Sequence, residues 1–477
     1  MSIKKILFIN PPFTIYGGIK GHGGKNTPLN LAYLASYMRV KNSKIQVDII
    51  DAEGLELQLH ELYDRVDSYS PDIIGLTCPT PVYYIVKQIC NDLKEKDPEV
   101  VIILGGPHPT ALPRDTMEDI KTDFVVIGEG EETFIELIDH FDNNKKLDKI
   151  KGIAFRNHSE IIVNNRRELI KDLDLLPFPA KDLLPLDKYY LPPTKRIRSE
   201  RATNMITSRG CPFSCTFCMA RTIWGRQSRL RSTENVLAEI KENINNYNLT
   251  EFSFHDELFT FKKSRVIEFC KGVINKGLDI TWVCQARAGT VDTEMLEYMK
   301  MAGCGKIAFG FESGNQRMLN LMNKKETLQN AVESAYLCNK AGIEVEGAFI
   351  LGHPGETISS IEDTIRFAID LNIDTAAFFI AIPYPGTDLF DLALKNGYLK
   401  EPIDWREFAP VSNLESPMII PEISVETLQK YKRKAFQSFY LRPRYLLRKL
   451  KQLHNINDVK SILRGVKTFV DIIHKKK

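Results

Sequence analysis

Cys211, Cys215 and Cys218 lie within eight residues at the spacing C-x3-C-x2-C. In a reducing compartment thiols this dense are metal ligands rather than disulfide partners. Structural zinc takes four ligands, usually as two pairs. No second pair follows here: Cys270, Cys284, Cys304 and Cys338 are scattered singly, so zinc would have to recruit one of them or a histidine. A 4Fe–4S cluster normally takes four thiolates. With three, one iron stays open to a substrate or cofactor. Gly210 and Pro212 bracket the first cysteine and mark the segment as a loop.

Such a loop needs a frame. From residue 201 to 400 the runs ATNMITS, EFSFHD, DITWVCQA, KIAFGFE, VEGAFILG and TAAFFIAIP alternate with helical stretches. One helix carries Val236, Ile240 and Ile244 on a single face, and Gly277, Gly303 and Gly342 are placed to close others. Six strand–helix units predict a partial (β/α)6 barrel, whose working residues belong at the C-terminal strand ends. The cysteines follow the first strand. Asp256 and Glu257 end the second, Arg287 follows the third, and Glu312 and Ser313 end the fourth. Gly347 to Gly352, with His353-Pro354-Gly355 beyond, end the fifth; Tyr384, within Pro383-Tyr384-Pro385-Gly386-Thr387, ends the sixth. Arg221, Arg226, Arg229 and Arg231, behind the cluster loop, read either as a solvated basic face or as a grip on an anionic group.

Residues 1–145 carry five continuous Val- and Ile-rich runs, KKILFIN, KIQVDIID, PDIIGLT, EVVIILGG and DFVVIGEG, separated by segments of helical length. Strands buried on both faces read this way, so the expectation is an N-terminal doubly wound parallel α/β sheet. Its ligands would bind beyond the carboxyl ends of the strands. Those ends hold Asn10-Pro11-Pro12, Asp51, Thr77, Gly105-Gly106-Pro107-His108 and Gly128-Glu129-Gly130-Glu131.

Between the two halves, residues 146–200 predict a small hairpin and a proline-crowded strap, a connector rather than a domain. Residues 401–477 predict a helical C-terminal domain whose basic, amphipathic end packs on the barrel or touches a membrane surface. Trp405 and Phe408 could border a substrate pocket. The 477 residues carry a net charge of +3, which gives no case for nucleic-acid binding. No apolar run approaches the ~20 residues of a membrane helix. The N-terminus does not read as a signal peptide, so the expected location is cytoplasmic.

The first 145 residues resemble the cobalamin-binding domain through the five strand ends above and the helix holding Tyr33-Leu34. The resemblance assigns Asn10, Pro11, Asp51, Thr77, Gly105, Gly106, His108, Gly128 and Glu129 to the cobalamin site. One departure matters: the D-x-H-x-x-G motif, whose histidine ligates cobalt from below, is absent. His22 lies in the right loop, but its neighbours Gly21, Gly23 and Gly24 do not fit. His108 reads either as lining the site or as a satisfied loop histidine.

C-x3-C-x2-C after the first strand, with Phe217 before the last cysteine, resembles the radical S-adenosylmethionine superfamily. The resemblance implies that Cys211, Cys215 and Cys218 hold a 4Fe–4S cluster. The open iron would chelate S-adenosylmethionine, whose one-electron cleavage releases a 5′-deoxyadenosyl radical. Asp256 and Glu257 would meet the methionine amine, Arg287 its carboxylate, and Glu312 or Ser313 the ribose. Tyr384 is the one candidate for a catalytic role.

Together the two resemblances identify a cobalamin-binding radical S-adenosylmethionine enzyme. They imply methylation of an unactivated carbon, or of phosphorus, in a small-molecule or lipid substrate, with flavodoxin or ferredoxin as electron donor. The same architecture is similar to radical cyclases that form rings in tetrapyrrole biosynthesis. A reading of another class is a cobalamin-responsive binding protein whose cysteines hold a structural metal; the aligned barrel motifs argue against it.

Overall fold

The computed structural model describes residues 3–14, 24–143, 145–192, 195, 197–198, 201–409, 416–443 and 445–447. His22 and the basic stretch 448–477 lie outside them.

Strands β1 (Lys5–Asn10), β2 (Gln46–Asp51), β3 (Ile73–Thr77), β4 (Val101–Gly105) and β5 (Phe124–Val126) run parallel in the order β2-β1-β3-β4-β5. Both faces are apolar. Leu7 and Ile9 of β1 pack toward helix Tyr83–Lys96, while Ile6 and Phe8 pack toward helices Leu29–Lys41 and Glu131–Asn143. This is the doubly wound sheet expected from the five runs, with its order reversing between β1 and β3, where open α/β sheets take ligands. The hairpin β6 (Ile153–Asn157) and β7 (Glu160–Val163) does not stand apart. It pairs antiparallel on β5 and extends the first sheet to seven strands.

The proline-rich strap then crosses the first half. Leu173 and Leu176 bury against Leu29 and Tyr33, and Ala180 N–H donates to the Ala32 carbonyl at 3.0 Å. It leads into β8 (Ala202–Met205), β9 (Ser208–Arg209), β10 (Arg229–Leu230), β11 (Glu251–Phe254), β12 (Thr281–Ala286), β13 (Cys304–Glu312), β14 (Glu344–Leu351) and β15 (Thr375–Ile380). Six of these form an all-parallel sheet in the order β15-β14-β13-β12-β11-β8, the partial barrel. Its outer face buries Phe252, Phe254, Trp282, Phe309, Phe349 and Phe378 beneath the helices. Gly303 shows why those helices stop where they do. It has φ +90°, and a Cβ there would collide with the Ile280 carbonyl, so only glycine closes the turn into β13.

Beyond the barrel, helix Val425–Tyr440 covers the free edge of β15. Tyr440 Oη donates to the Ala376 carbonyl at 2.8 Å and accepts from Ala376 N–H at 3.0 Å, which satisfies edge groups that would otherwise invite another strand. No helix among the described residues is long and apolar enough to cross a membrane.

Candidate active site

The cluster loop spans residues 210–228 and is closed at its base by the short antiparallel ladder of β9 and β10. Gly210, at φ +97°, passes so close to the Gln227 carbonyl that any Cβ would collide with it. The rest of the loop hangs from the barrel's strand ends. Thr216 N–H donates to the Met322 carbonyl at 3.0 Å, Asn323 Nδ2 to the Ser214 carbonyl at 2.7 Å, and Leu389 N–H to the Thr216 carbonyl at 2.9 Å.

All nine cysteines are free. Burial, and then the neighbouring thiols, push up Cys211 and Cys218, the latter to about 11. These thiols therefore become ligands only when a metal displaces their protons. Among the described residues no three His, Cys, Asp or Glu side chains gather as a single-ion site. Cys270, Cys284, Cys304 and Cys338 are buried in the barrel's apolar core.

Arg287, after β12, reaches the loop from below. Its guanidinium lies 3.8 Å from the centre of the Phe213 ring, and Nη1 is 3.7 Å from Cys215 Sγ. Nε stands 3.0 Å from Glu326 Oε1, and Nη2 is buried with no partner among the described residues. Lys324 Nζ lies 2.9 Å from Glu312 Oε1 and 3.8 Å from Glu326. Arginine, glutamate, lysine and glutamate thus alternate in a buried tetrad. Burial raises Glu326 to about 7 despite Lys324 and Arg287 beside it.

Glu312 sits at φ +63°, where the register between β13 and β14 slips. A non-glycine residue in that region is held there by its surroundings, and such strain gathers at functional sites. Sequence reasoning missed Lys324 and Glu326. They lie in Met322-Asn323-Lys324-Lys325-Glu326-Thr327, a short charged stretch without strand or helix period.

The paired candidates divide. Glu257 Oε2 accepts from Gly210 N–H at 3.1 Å, and burial raises its carboxyl, so it borders the cluster loop. Asp256 does not. It is fully buried and accepts from Thr207 N–H at 2.7 Å, Thr207 Oγ1 at 2.5 Å and Ser208 Oγ at 2.6 Å, which makes it a brace under β9. Ser313 is also turned away. Its hydroxyl is 3.0 Å from Thr364 Oγ1 and accepts from Asn315 N–H at 3.1 Å. Tyr384, its phenol pushed up by burial, follows β15 with its ring 6.5 Å from that of Phe408. The arginines behind the loop are not a solvated face. Arg221 pairs with Asp388, Arg229 with Glu129 and Arg231 with Glu239; Arg229 and Arg231 are buried, and only Arg226 is exposed.

The edge of the first sheet is built differently. Asp51 is buried and accepts from Asn10 Nδ2 at 2.7 Å, Gly54 N–H at 2.9 Å and Tyr189 Oη at 2.6 Å. Thr77 Oγ1 accepts from Asn30 Nδ2 at 2.9 Å. His108 is buried. Its Nδ1 is 3.2 Å from Thr80 Oγ1, and its ring lies between Tyr83 at 4.4 Å and Trp405 at 4.7 Å. Burial lowers its pKa to about 3, so the ring is neutral. Trp405 accordingly closes over the first half. Glu129 is consumed by Arg209, Arg229 and the Ile170 N–H.

What remains at this edge is backbone. A Cβ on Gly105 would meet only the Val126 carbonyl, and one on Gly128 (φ +82°) only the Ile223 carbonyl, each at 4.0 Å. Pro11 lies buried at the end of β1. A broad, amide-fringed corrin ring fits a floor of glycine backbone that holds no charge to desolvate.

The two edges meet. Arg166 donates from Nη1 to the Thr222 carbonyl at 2.8 Å and from Nη2 to the Thr110 carbonyl at 3.1 Å. That ties helix Pro107–Ala111 of the first half to helix Ala220–Trp224 behind the cysteines.

Comparison with known proteins identifies both halves of the chain. The radical SAM superfamily model matches residues 205–368, and the B12 binding domain model matches residues 21–138. An uncharacterized methyltransferase of Pyrococcus horikoshii is 34% identical over 467 residues, covering 98% of each chain. The anaerobic magnesium-protoporphyrin IX monomethyl ester cyclase of Rubrivivax gelatinosus is 29% identical over 88% of this chain and 74% of its own. The cytidylyl-2-hydroxyethylphosphonate methyltransferase of Streptomyces wedmorensis is 26% identical over 83% of each.

Two solved structures share the fold. The cobalamin-dependent S-adenosylmethionine radical enzyme OxsB, with aqua-cobalamin and S-adenosylmethionine bound, has TM-score 0.75 at 18% identity over 99% of this chain and 72% of its own. The radical S-adenosylmethionine methyltransferase TsrM of Kitasatospora setae, with cobalamin and a [4Fe-4S] cluster bound, has TM-score 0.68 at 15% identity over 84% of this chain and 77% of its own.

Proposed function

Because this chain belongs to the cobalamin-binding radical S-adenosylmethionine family, we propose that it methylates an unactivated carbon, or a phosphorus, of a small-molecule or lipid substrate. When bound, the cluster supplies the electron that cleaves S-adenosylmethionine, and cobalamin carries the methyl group. Cys211, Cys215 and Cys218 take three irons. The unpartnered Nη2 of Arg287 meets the methionine carboxylate, where a planar guanidinium gives directed hydrogen bonds. Glu257 meets the amine, and Glu312, steadied by Lys324, meets the ribose. Gly105 and Gly128 let the corrin lie against backbone, whereas Gly106, at φ +101°, makes room for Cys78 N and Thr77 Oγ1, each 3.0 Å from where its Cβ would stand. On this reading the first sheet, hairpin included, is the cobalamin half and residues 201–400 are the radical half. The electron comes from flavodoxin or ferredoxin, and the enzyme works in the cytoplasm.

The observation that carries the reading is the junction of the two edges through Arg166. A radical source and a methyl carrier make a bond at an inert position only when both face one substrate. The test starts from a substrate found by comparing metabolites of cells with and without the gene. Turnover should use two S-adenosylmethionine molecules, giving S-adenosylhomocysteine and 5′-deoxyadenosine in step with the methylated product. The cyclase relative favours a second reading, ring formation. If 5′-deoxyadenosine forms with a product of unchanged carbon count and no S-adenosylhomocysteine, methyl transfer is rejected and that second reading stands.

A further inference from the structure

Arg209 and Arg229 stand directly opposite each other at the base of the cluster loop, as Cα partners in the β9–β10 ladder. Like charges so placed destabilise a ladder. They are neutralised by residues of the other half. Arg209 Nη1 lies 2.7 Å from Glu129 Oε1, Arg209 Nη2 lies 2.6 Å from Glu131 Oε1, and Arg229 Nη1 lies 2.8 Å from Glu129 Oε2. All four side chains are nearly excluded from solvent. The Arg209 guanidinium is also held between Tyr33, on the first helix of the sheet, and Trp224, behind the cysteines, at 5.4 and 5.3 Å. Its neighbours in sequence are Gly210 and then Cys211, while Glu129 directly follows Gly128 and Glu131 comes two residues later, after Gly130. A buried, charge-neutral lock therefore joins the loop at one proposed cofactor site to the loop at the other.

We propose that this lock, with Arg209 as its positioning residue, couples the two cofactor sites, so that ordering the cluster loop tightens cobalamin binding and cobalamin in turn favours the cluster. The inference rests on the cofactor sites of the proposed function. A buried charge pair has discrete arrangements rather than a continuum, so a loop fixed by ligation at Cys211 fixes Glu131 and the glycine turn beside it. Linkage makes the effect reciprocal. A second buried ion pair, Lys181 of the strap with Glu239 of the barrel at 3.4 Å, touches neither cofactor loop.

Hydroxocobalamin is titrated into full-length protein, iron-free and cluster-reconstituted. Wild type should bind it at least about fivefold tighter with the cluster in place. Glu131→Gln, which keeps the shape and removes one charge of the lock, should bring that ratio to within about twofold of unity while iron content stays at the wild-type level. Lys181→Met should lower the melting temperature and leave the ratio as in wild type, a contrast that a merely structural role for Glu131 would not produce. If Glu131→Gln does not fold, Arg209→Lys replaces it, with the same reduced ratio expected. A wild-type ratio of one, or a Glu131→Gln or Arg209→Lys protein that keeps the wild-type ratio, overturns the coupling alone. Wild-type protein that takes up neither cofactor overturns the proposed function and the coupling with it.

Discussion

At the ends of β1, β2 and β4 the polar side chains Asn10, Asp51 and His108 are bonded to their own neighbours, and the surface left over is glycine backbone. At the ends of β12 and β13, Arg287 and Glu312 are set against Lys324, Glu326 and a thiol, and Arg287 keeps a donor in reserve. One edge offers shape and the other offers charge. The difference follows from what each would hold. A corrin is a broad ring whose rim asks for amide contacts. A cluster asks for deprotonated ligands, and S-adenosylmethionine carries an ammonium and a carboxylate that need opposite charges in a dry place.

The largest effect that contrast predicts is at the thiols. Cys215→Ala should take reconstituted protein from about four irons per chain to near zero, by iron and sulfide assay. Joint replacement of Cys270, Cys284, Cys304 and Cys338 by alanine or serine, in protein that still folds, should leave about four. Near-zero iron in that quadruple variant would mean a fourth protein ligand and would end the open-iron argument.

Next is the tetrad. Lys324→Met leaves Glu312 and Glu326 facing each other, and breaking a buried ion pair on one side costs about 3–5 kcal/mol. Chemical denaturation should show that loss. Calorimetry should show S-adenosylmethionine binding weakened more than about tenfold, since a uniform 1.4 kcal/mol already gives that factor, with cobalamin binding close to wild type. Equal losses at both ligands would mean that the two edges are not separate in kind.

His108 tests the other edge. Its ring is enclosed by Tyr83, Trp405 and Thr80, so His108→Ala should lower stability by about 1–3 kcal/mol through lost packing. The electron paramagnetic resonance spectrum of the cob(II)alamin form should not change. Nitrogen superhyperfine splitting in wild type that vanishes in the variant would put this imidazole on cobalt and refute the aromatic pocket.

The strands and the three cysteines were legible in the sequence because each is a local pattern: continuous apolar runs for β1–β5 and the barrel, and thiols at ligand spacing. The polar candidates were less legible because a side chain's type does not say what will claim it. Asp51 and Asp256 read as ligand-facing carboxylates, yet Tyr189, from the strap, and Thr207 and Ser208, beside the cluster loop, take up their oxygens. Arg229 read as part of a basic face and is buried against Glu129, 100 residues away in sequence. Lys324 and Glu326 gave no signal, since only the slipped register of β13 brings Glu312 to them.

The smallest effect compares two buried carboxyls. Glu129 has two arginines against it, whereas Glu356, after β14, accepts from the Gly352 N–H at 2.6 Å and the Ser360 hydroxyl at 3.2 Å, with the His353 backbone and the charge of Arg317 as weaker support. Burial accordingly pushes Glu356 up to about 7 from 4.5. The folded protein binds this proton more tightly than the unfolded chain does. The group's contribution is therefore complete below pH 4.5 and is lost progressively as the pH rises through 7. Glu356→Gln keeps an acceptor for Gly352 and removes the titration. Between those limits its stability should fall less steeply with pH than that of wild type, and at pH 8 it should be the more stable protein by about 1–2 kcal/mol. Denaturant midpoints at four or five pH values measure this. Parallel curves for the two proteins would show that Glu356 stays ionised and that its hydrogen bonds outweigh its burial.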